Sequence, residues 1–160
     1  MRVTIQDESF LILVCPHQAP KICDILTCSE FELITEAIYT DAYPYAQSVW
    51  FYHEFLMTTL IEPAGNSVIT PHFTQKDRID YVSERLDSLK EMLDGAEDCK
   101  WIYNALLEYT LARCKMEERE PHSEEKQNCS FWLAELGKLD PLRSGRWGAI
   151  GKSLSWATSI

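Results

Sequence analysis

The chain has 160 residues and a formal net charge of −10, with 46% hydrophobic and 25% charged residues. This balance is typical of a globular protein with one substantial hydrophobic core and excludes a disordered chain. The acidic excess argues against a nucleic-acid-binding protein, which needs clustered lysine and arginine. No apolar run approaches the roughly 18 residues of a membrane span, so we expect no membrane insertion.

The cysteines and the N-terminus indicate the cellular compartment. The six cysteines include no C-x-x-C pair. The apolar run from Phe10 to Cys15 follows two acidic residues and is shorter than the roughly 7–15 residues of a signal-peptide core. We therefore expect no secretory signal, a cytoplasmic location and cysteines that remain thiols.

The first predicted helix begins at Ser29, where Glu32 follows three residues later in a capping-box arrangement. Apolar residues at helical spacing then recur at Phe31, Ile34 and Ile38. A second helix is predicted from the first turn containing Pro44, where the missing N–H costs nothing, to about Ile61.

The second predicted helix carries the aromatic stretch SVWFYHEFLM, which is apolar most of the way round the helix. We expect neighbouring helices to cover it on several sides, as in a stack of helical hairpins. The stretch then serves packing, and direct contact with a ligand is the alternative.

A third helix is predicted between a Thr74 cap, with Asp77 in the first turn, and a stop at Gly95. Its core stripe comprises Ile79, Val82, Leu86, Leu89 and Leu93. A fourth helix is predicted over about residues 97–116.

The run EEREPHSEE is interpreted as a solvated linker, followed by a fifth helix from a Ser123 cap to about Leu139. A short last helix with Trp147 follows Asp140-Pro141. No alternating run is long enough for a strand, so the sequence predicts an all-α protein.

Two segments repeat the pattern Trp-x-Tyr-x-x-x-Leu, one beginning at Trp50-Phe-Tyr52-His53 and the other at Trp101-Ile-Tyr103. Each follows an amphipathic helix and a short polar break. The unequal spacing of the tryptophans fits helical hairpins with loops of different length, and not the fixed period of a tetratricopeptide array.

The residue types that carry chemistry are scattered. His53 is the most plausible catalytic side chain, but no nucleophile or second histidine stands at a helpful spacing. No H-x-x-x-H pair is present for a metal. We therefore predict no catalytic residue, no metal site and no cofactor in this chain. Four basic residues near the C-terminus predict either a solvated face or a docking surface for an acidic partner: Lys138, Arg143, Arg146 and Lys152.

The stretches SEFELITEAIYTDAYPYAQSVWFYHEFLM, CKWIYNALLEYTLA and WLAELGKLDPLRSGRW resemble the repeats of protein prenyltransferase alpha subunits, and in particular the C-terminal part of those of the type II enzyme, Rab geranylgeranyltransferase. The resemblance covers about residues 29–154. It implies an alpha-alpha superhelix of antiparallel helical hairpins. The repeat-motif and interface residues would be Trp50, Tyr52, His53, Trp101, Tyr103, Asp140, Pro141, Arg143 and Trp147.

The resemblance also implies a function. The alpha subunit would scaffold a beta subunit, which holds the zinc and transfers geranylgeranyl from its diphosphate to C-terminal cysteines of Rab proteins presented by an escort protein. No catalytic residue is carried over to this chain. The alternatives are the alpha subunit of farnesyltransferase or type I geranylgeranyltransferase, and a non-catalytic helical-repeat adaptor that binds a peptide or partner protein.

The two ends of the chain depart from the family pattern. Residues 1–28 do not look like a repeat and are predicted to be disordered or not a genuine start. Residues 29–154 form the predicted helical-repeat domain, and residues 155–160 a tail. The earlier repeats of the family are absent, so we expect this chain alone to be inactive.

Overall fold

The structure is a computed structural model that describes residues 22–39, 45–61 and 73–154. Every regular element in these ranges is helical, so the predicted all-α class is confirmed. The elements are α1 (Ile22–Tyr39), α2 (Gln47–Ile61), α3 (Gln75–Leu93), α4 (Lys100–Met116), α5 (Ser123–Leu139), a 3-10 turn (Pro141–Arg143) and α6 (Ser144–Ser153).

The helices pack in the order in which they occur along the chain. α1 packs against α2, α3 against α4, α4 against α5, and α5 against α6. α2 also contacts both α3 and α4, which joins the first helix pair to the second. Contacts between nearest and next-nearest helices are those of stacked helical hairpins, as the sequence predicts.

The hydrophobic core lies between α2, α3 and α4 and extends into α1 and α5. Its completely or almost completely buried side chains are Phe31, Ile38, Met57, Leu60, Val82, Leu86, Leu89, Ile102, Leu106, Leu107 and Leu136. Each large apolar side chain buried in this way contributes roughly 1.5–3 kcal/mol. The predicted stripe on α3 therefore faces the core, although its two end residues are only partly buried.

The ends of α3 are built as the sequence predicts. The Thr74 N–H donates to Asp77 Oδ2 at 2.9 Å, and the Asp77 N–H donates to Thr74 Oγ1 at 3.2 Å. This reciprocal pair satisfies two backbone N–H groups at the exposed start of the helix. Gly95, just beyond the last turn, has φ +115°, a conformation that is strained for any residue with a Cβ.

The structure corrects the predicted starts of several helices. α1 begins at Ile22, so Ser29 lies inside the helix and does not cap it. The chain between these residues contains no proline or glycine that would stop the helix. α4 begins at Lys100, three residues after the predicted position, and His122 takes the N-cap position of α5 that was predicted for Ser123.

The structure does not describe the residues at the end of the chain, and it does not test the predicted division of the chain into segments. α2 begins at Gln47, so the predicted first turn containing Pro44 is wrong. Pro44 itself and the tail at residues 155–160 lie outside the described residues. α1 crosses the predicted domain boundary between residues 28 and 29. The division of the chain into three segments stays a prediction.

α2 is buried on one side only, so the prediction that neighbours cover it on several sides is wrong. Its buried face comprises Trp50, His53, Leu56, Met57, Thr59 and Leu60. On the opposite face, Phe51 is 49% exposed, Tyr52 40% and Phe55 55%. The buried face meets α1 and α4 at His53, which contacts Phe31 and Tyr109. On the outer face, α4 contacts Phe51 through Trp101 and leaves both Phe51 and Phe55 about half exposed.

We expect Trp50→Ala to lower the free energy of unfolding by about 3–5 kcal/mol, because it deletes an almost completely buried indole. Phe55→Ala is the matched control on the outer face and should change stability by less than about 0.5 kcal/mol. Urea unfolding followed by circular dichroism measures both. Equal losses in the two variants would contradict the assigned faces of α2.

Candidate functional site

An exposed line of aromatic rings crosses α2 and reaches α4. We call Phe51, Tyr52, Phe55 and Trp101 the aromatic ridge. The Tyr52 and Phe55 rings stack with centroids 6.3 Å apart, and the Phe51 ring meets the Trp101 indole edge-on at 5.8 Å. Contiguous exposed apolar groups of this kind mark interaction surfaces more often than isolated ones do.

Trp101 is partly buried and is held in place by two cations. Lys100 Nζ lies 5.2 Å and the Arg143 guanidinium 5.7 Å from the centroid of the indole. Both cations also interact with the carboxylate of Asp140, at 3.3 Å and 3.6 Å. Through its ion pair with Lys100, Asp140, which is only 5% exposed, connects the turn between α5 and α6 to the first turn of α4.

Two predicted residues of the C-terminal motif, Asp140 and Pro141, lie at this turn, and a third, Trp147, contacts it from α6. Pro141 starts the 3-10 turn, where its fixed φ suits the first position. The Trp147 indole N–H donates to the carbonyl oxygen of Asp140 at 3.3 Å, and Trp147 is 5% exposed. The segment thus forms one structured corner beside Trp101.

The basic residues predicted near the C-terminus mostly have intramolecular partners. Lys138 pairs with Glu135 at 2.6 Å and Arg146 pairs with Glu108 at 2.6 Å. Arg143 pairs with Asp140, as described above. These contacts favour a solvated, ion-paired face over a cluster of free cations.

His53 lies in the buried cluster on the inner face of α2. Its Nδ1 is hydrogen-bonded to the Tyr109 hydroxyl at 3.0 Å, and its ring contacts the rings of Trp50 and Phe31. Burial and, to a lesser extent, the charge of Arg85 lower the pKa of His53 to about 4. A neutral imidazole that is 2% exposed cannot meet a substrate from solution.

The two copies of the repeat motif place their aromatic residues differently. In the first copy Trp50 is buried, and exposed Tyr52 donates its hydroxyl to Glu30 Oε2 at 2.9 Å. In the second copy Trp101 is partly exposed, and Tyr103 is buried with its hydroxyl donated to the Glu97 carbonyl at 2.9 Å. Equal positions in the sequence pattern are therefore not equivalent in the structure.

The cysteine thiols of the described residues are not activated nucleophiles. Cys99, Cys114 and Cys129 are buried free thiols. Burial raises the pKa of all three thiols, that of Cys129 to about 12. Among the described residues no group of three or more His, Cys, Asp or Glu is arranged to hold a metal ion. None of the described helices is long and apolar enough to cross a membrane.

Sequence reasoning missed an ion network between α4 and α5. Glu125 receives Arg113 at 2.6 Å and both terminal nitrogens of Arg119 at 2.6 and 2.8 Å. These contacts hold the pKa of Glu125 well below its usual range, and the hydrogen bond from Arg119 has the largest effect. The run EEREPHSEE is thus not simply a solvated linker, and its single arginine among glutamates was the signal in the sequence for the Arg119–Glu125 pair.

Comparison with known proteins shows a similarity to a curated prenyltransferase subunit. No protein-family model and no solved structure matches the chain. The geranylgeranyl transferase type-2 subunit alpha of Schizosaccharomyces pombe is 26% identical over 141 residues. The predicted resemblance is confirmed. The match covers 88% of this chain and 40% of the relative, so the chain spans less than half of the relative's length.

We expect Glu125→Gln to destabilise the protein by roughly 2–3 kcal/mol, because two partly buried arginines lose their shared carboxylate. Glu124→Gln, the exposed neighbour, should cost less than about 0.5 kcal/mol. Thermal and urea unfolding at neutral pH compare the two variants. A Glu125→Gln protein as stable as Glu124→Gln would show that the network contributes nothing.

The lowered pKa of His53 predicts that the protein loses stability as the pH falls. Its pKa is 6.5 when unfolded and about 4 when folded, so the unfolded chain takes up a proton first. The contribution of His53 to stability should fall as the pH drops from 6.5 to 4, by about 3 kcal/mol in total. Urea unfolding from pH 7 to pH 4 should show a weaker pH dependence in His53→Gln than in the wild type. Parallel curves would contradict a buried neutral histidine.

Proposed function

We propose that this chain is part of the alpha subunit of a protein geranylgeranyltransferase of type II, and that its role is to scaffold a beta subunit. The observation that carries the proposal is the similarity to a type-2 alpha subunit, which extends over 88% of the chain. The stack of helix pairs supports it, since successive pairs provide a continuous surface along which a second protein can lie.

The side chains of this chain support a scaffolding role and not a chemical one. His53 is buried and hydrogen-bonded to Tyr109, and the thiols of Cys99, Cys114 and Cys129 are buried and protonated. In the proposed division of labour, the beta subunit carries the zinc and the lipid diphosphate. This chain supplies no cofactor ligand and acts in the cytoplasm.

The acceptors in this proposal are C-terminal cysteines of Rab proteins presented by an escort protein. The type-2 name of the relative supports this acceptor class over the C-a-a-X proteins of farnesyltransferase and the type I enzyme. The exposed ridge on α2 would equally suit an adaptor that binds a peptide, so the test below includes that outcome.

The proposal is tested by expressing this chain together with the type-2 beta subunit encoded in the same genome. We expect the two proteins to co-purify and to elute from a sizing column as a one-to-one complex. The chain alone should transfer no geranylgeranyl group to a Rab protein in the presence of its escort protein.

Two results would contradict the proposal. If the chain is folded, as judged by its helical circular dichroism, but binds no beta subunit, the scaffolding role is wrong. If this monomer also captures peptides, the chain is instead an adaptor. The acceptor is tested with the full-length alpha subunit in complex with the beta subunit. Transfer confined to C-a-a-X acceptors would indicate farnesyltransferase or the type I enzyme.

A further inference from the structure

We propose that the aromatic ridge is where this chain docks the beta subunit, and that the docked surface of the partner is an apolar patch bordered by lysine or arginine. This inference rests on the proposed function. It adds the location of the contact and the chemistry of the partner's surface.

The ridge lies on the half of α2 whose side chains stay largely exposed in the described part of the chain. Phe51 and Phe55 are each about half exposed, at 49% and 55%. They lie one turn apart, with Tyr52 beside Phe55 and Trp101 beside Phe51. Phe131, another exposed large aromatic side chain, lies on α5 and contacts Tyr103, away from α2.

The ridge is held rigid before any partner binds. Tyr52 is fixed at one end by its hydrogen bond to Glu30 on α1. Trp101 is fixed at the other end, between Lys100 and Arg143. Aromatic side chains already held in one conformation lose little entropy on binding, which is why they dominate the binding energy of many interfaces.

Charge argues for a different protein as the occupant, and against a second copy of this chain. Glu30 and Glu54 are exposed at the borders of the ridge on α1 and α2. The cations at its Trp101 end, Lys100 and Arg143, are paired with Asp140. Two copies, each with a net charge of −10, would bring these carboxylates together. Like charges at an interface oppose association, whereas basic residues on a partner would complement them.

The size of the ridge indicates how the partner must extend. Three half-exposed aromatic side chains offer roughly 300 Å². A stable interface buries about 800 Å² on each partner. The beta subunit must therefore continue past the ridge, and the corner formed by Trp101 and Arg143 is the adjoining surface.

The apolar part of the proposal is tested with Phe55→Ser in the complex with the beta subunit. The matched control is Phe131→Ser, since Phe131 on α5 is 53% exposed and lies off the ridge. Biolayer interferometry should show at least tenfold weaker binding for Phe55→Ser and a change of less than twofold for Phe131→Ser. Circular dichroism should show equal melting curves for both.

The charged part is tested with Glu54→Lys against Glu124→Lys, two exposed glutamates on different helices. We expect Glu54→Lys to weaken binding about threefold or more at low salt and less at high salt, because screening removes the lost attraction. Glu124→Lys should bind like the wild type.

The outcomes separate the two proposals. A wild-type chain that fails to bind the beta subunit overturns the proposed function. A wild-type chain that binds, with Phe55→Ser binding equally well, overturns only the ridge as the docking surface. Self-association of the free chain that Phe55→Ser abolishes, without any effect on beta-subunit binding, assigns the ridge to a second copy and overturns the inference.

Discussion

The burial of one face of α2 against α3 and α4 is the contact on which the rest of the structure depends. Across this contact, His53 of α2 is hydrogen-bonded to Tyr109 of α4, and Arg78 of α3 donates to the carbonyl oxygen of Leu60. The same contact joins the first helix pair to the second, and the buried apolar residues of the described helices belong to one cluster. Stability in such a stack comes from the interfaces between neighbours as much as from the individual hairpins.

The ridge is the consequence of that one-sided contact. α2 is rich in aromatic residues on both faces, and the inner rings are those that α1, α3 and α4 cover. The outer rings, Phe51 and Phe55, remain in solvent. Trp101 connects the ridge to the corner at Asp140 and Arg143, so the surface proposed for the partner and the packing of the last helices are physically linked.

Much of the fold could be predicted because local chemistry decides it. The capping box of Thr74 and Asp77, the stop at Gly95 and the stripe of Val82, Leu86 and Leu89 are short-range patterns, and each is present in the structure. The start of α1 was predicted wrongly because Ser29 and Glu32 satisfy the capping pattern without being at a helix end.

The candidate site was harder to predict because it depends on contacts between distant residues. The motif Trp-x-Tyr is the same at Trp50 and Trp101, yet only the first indole is almost completely buried. Nothing in the local pattern says which side of α2 meets its neighbours. The Glu125 network likewise requires Arg113, twelve residues earlier and on another helix, to be brought beside it.

The measurement that most directly tests the shared core is hydrogen–deuterium exchange of the wild type and Leu106→Ala, followed by mass spectrometry. Leu106 is completely buried at the centre of α4. If one core joins the helix pairs, the substitution should speed exchange in α2, α3 and α5 as well as in α4. Faster exchange confined to α4 would contradict the account.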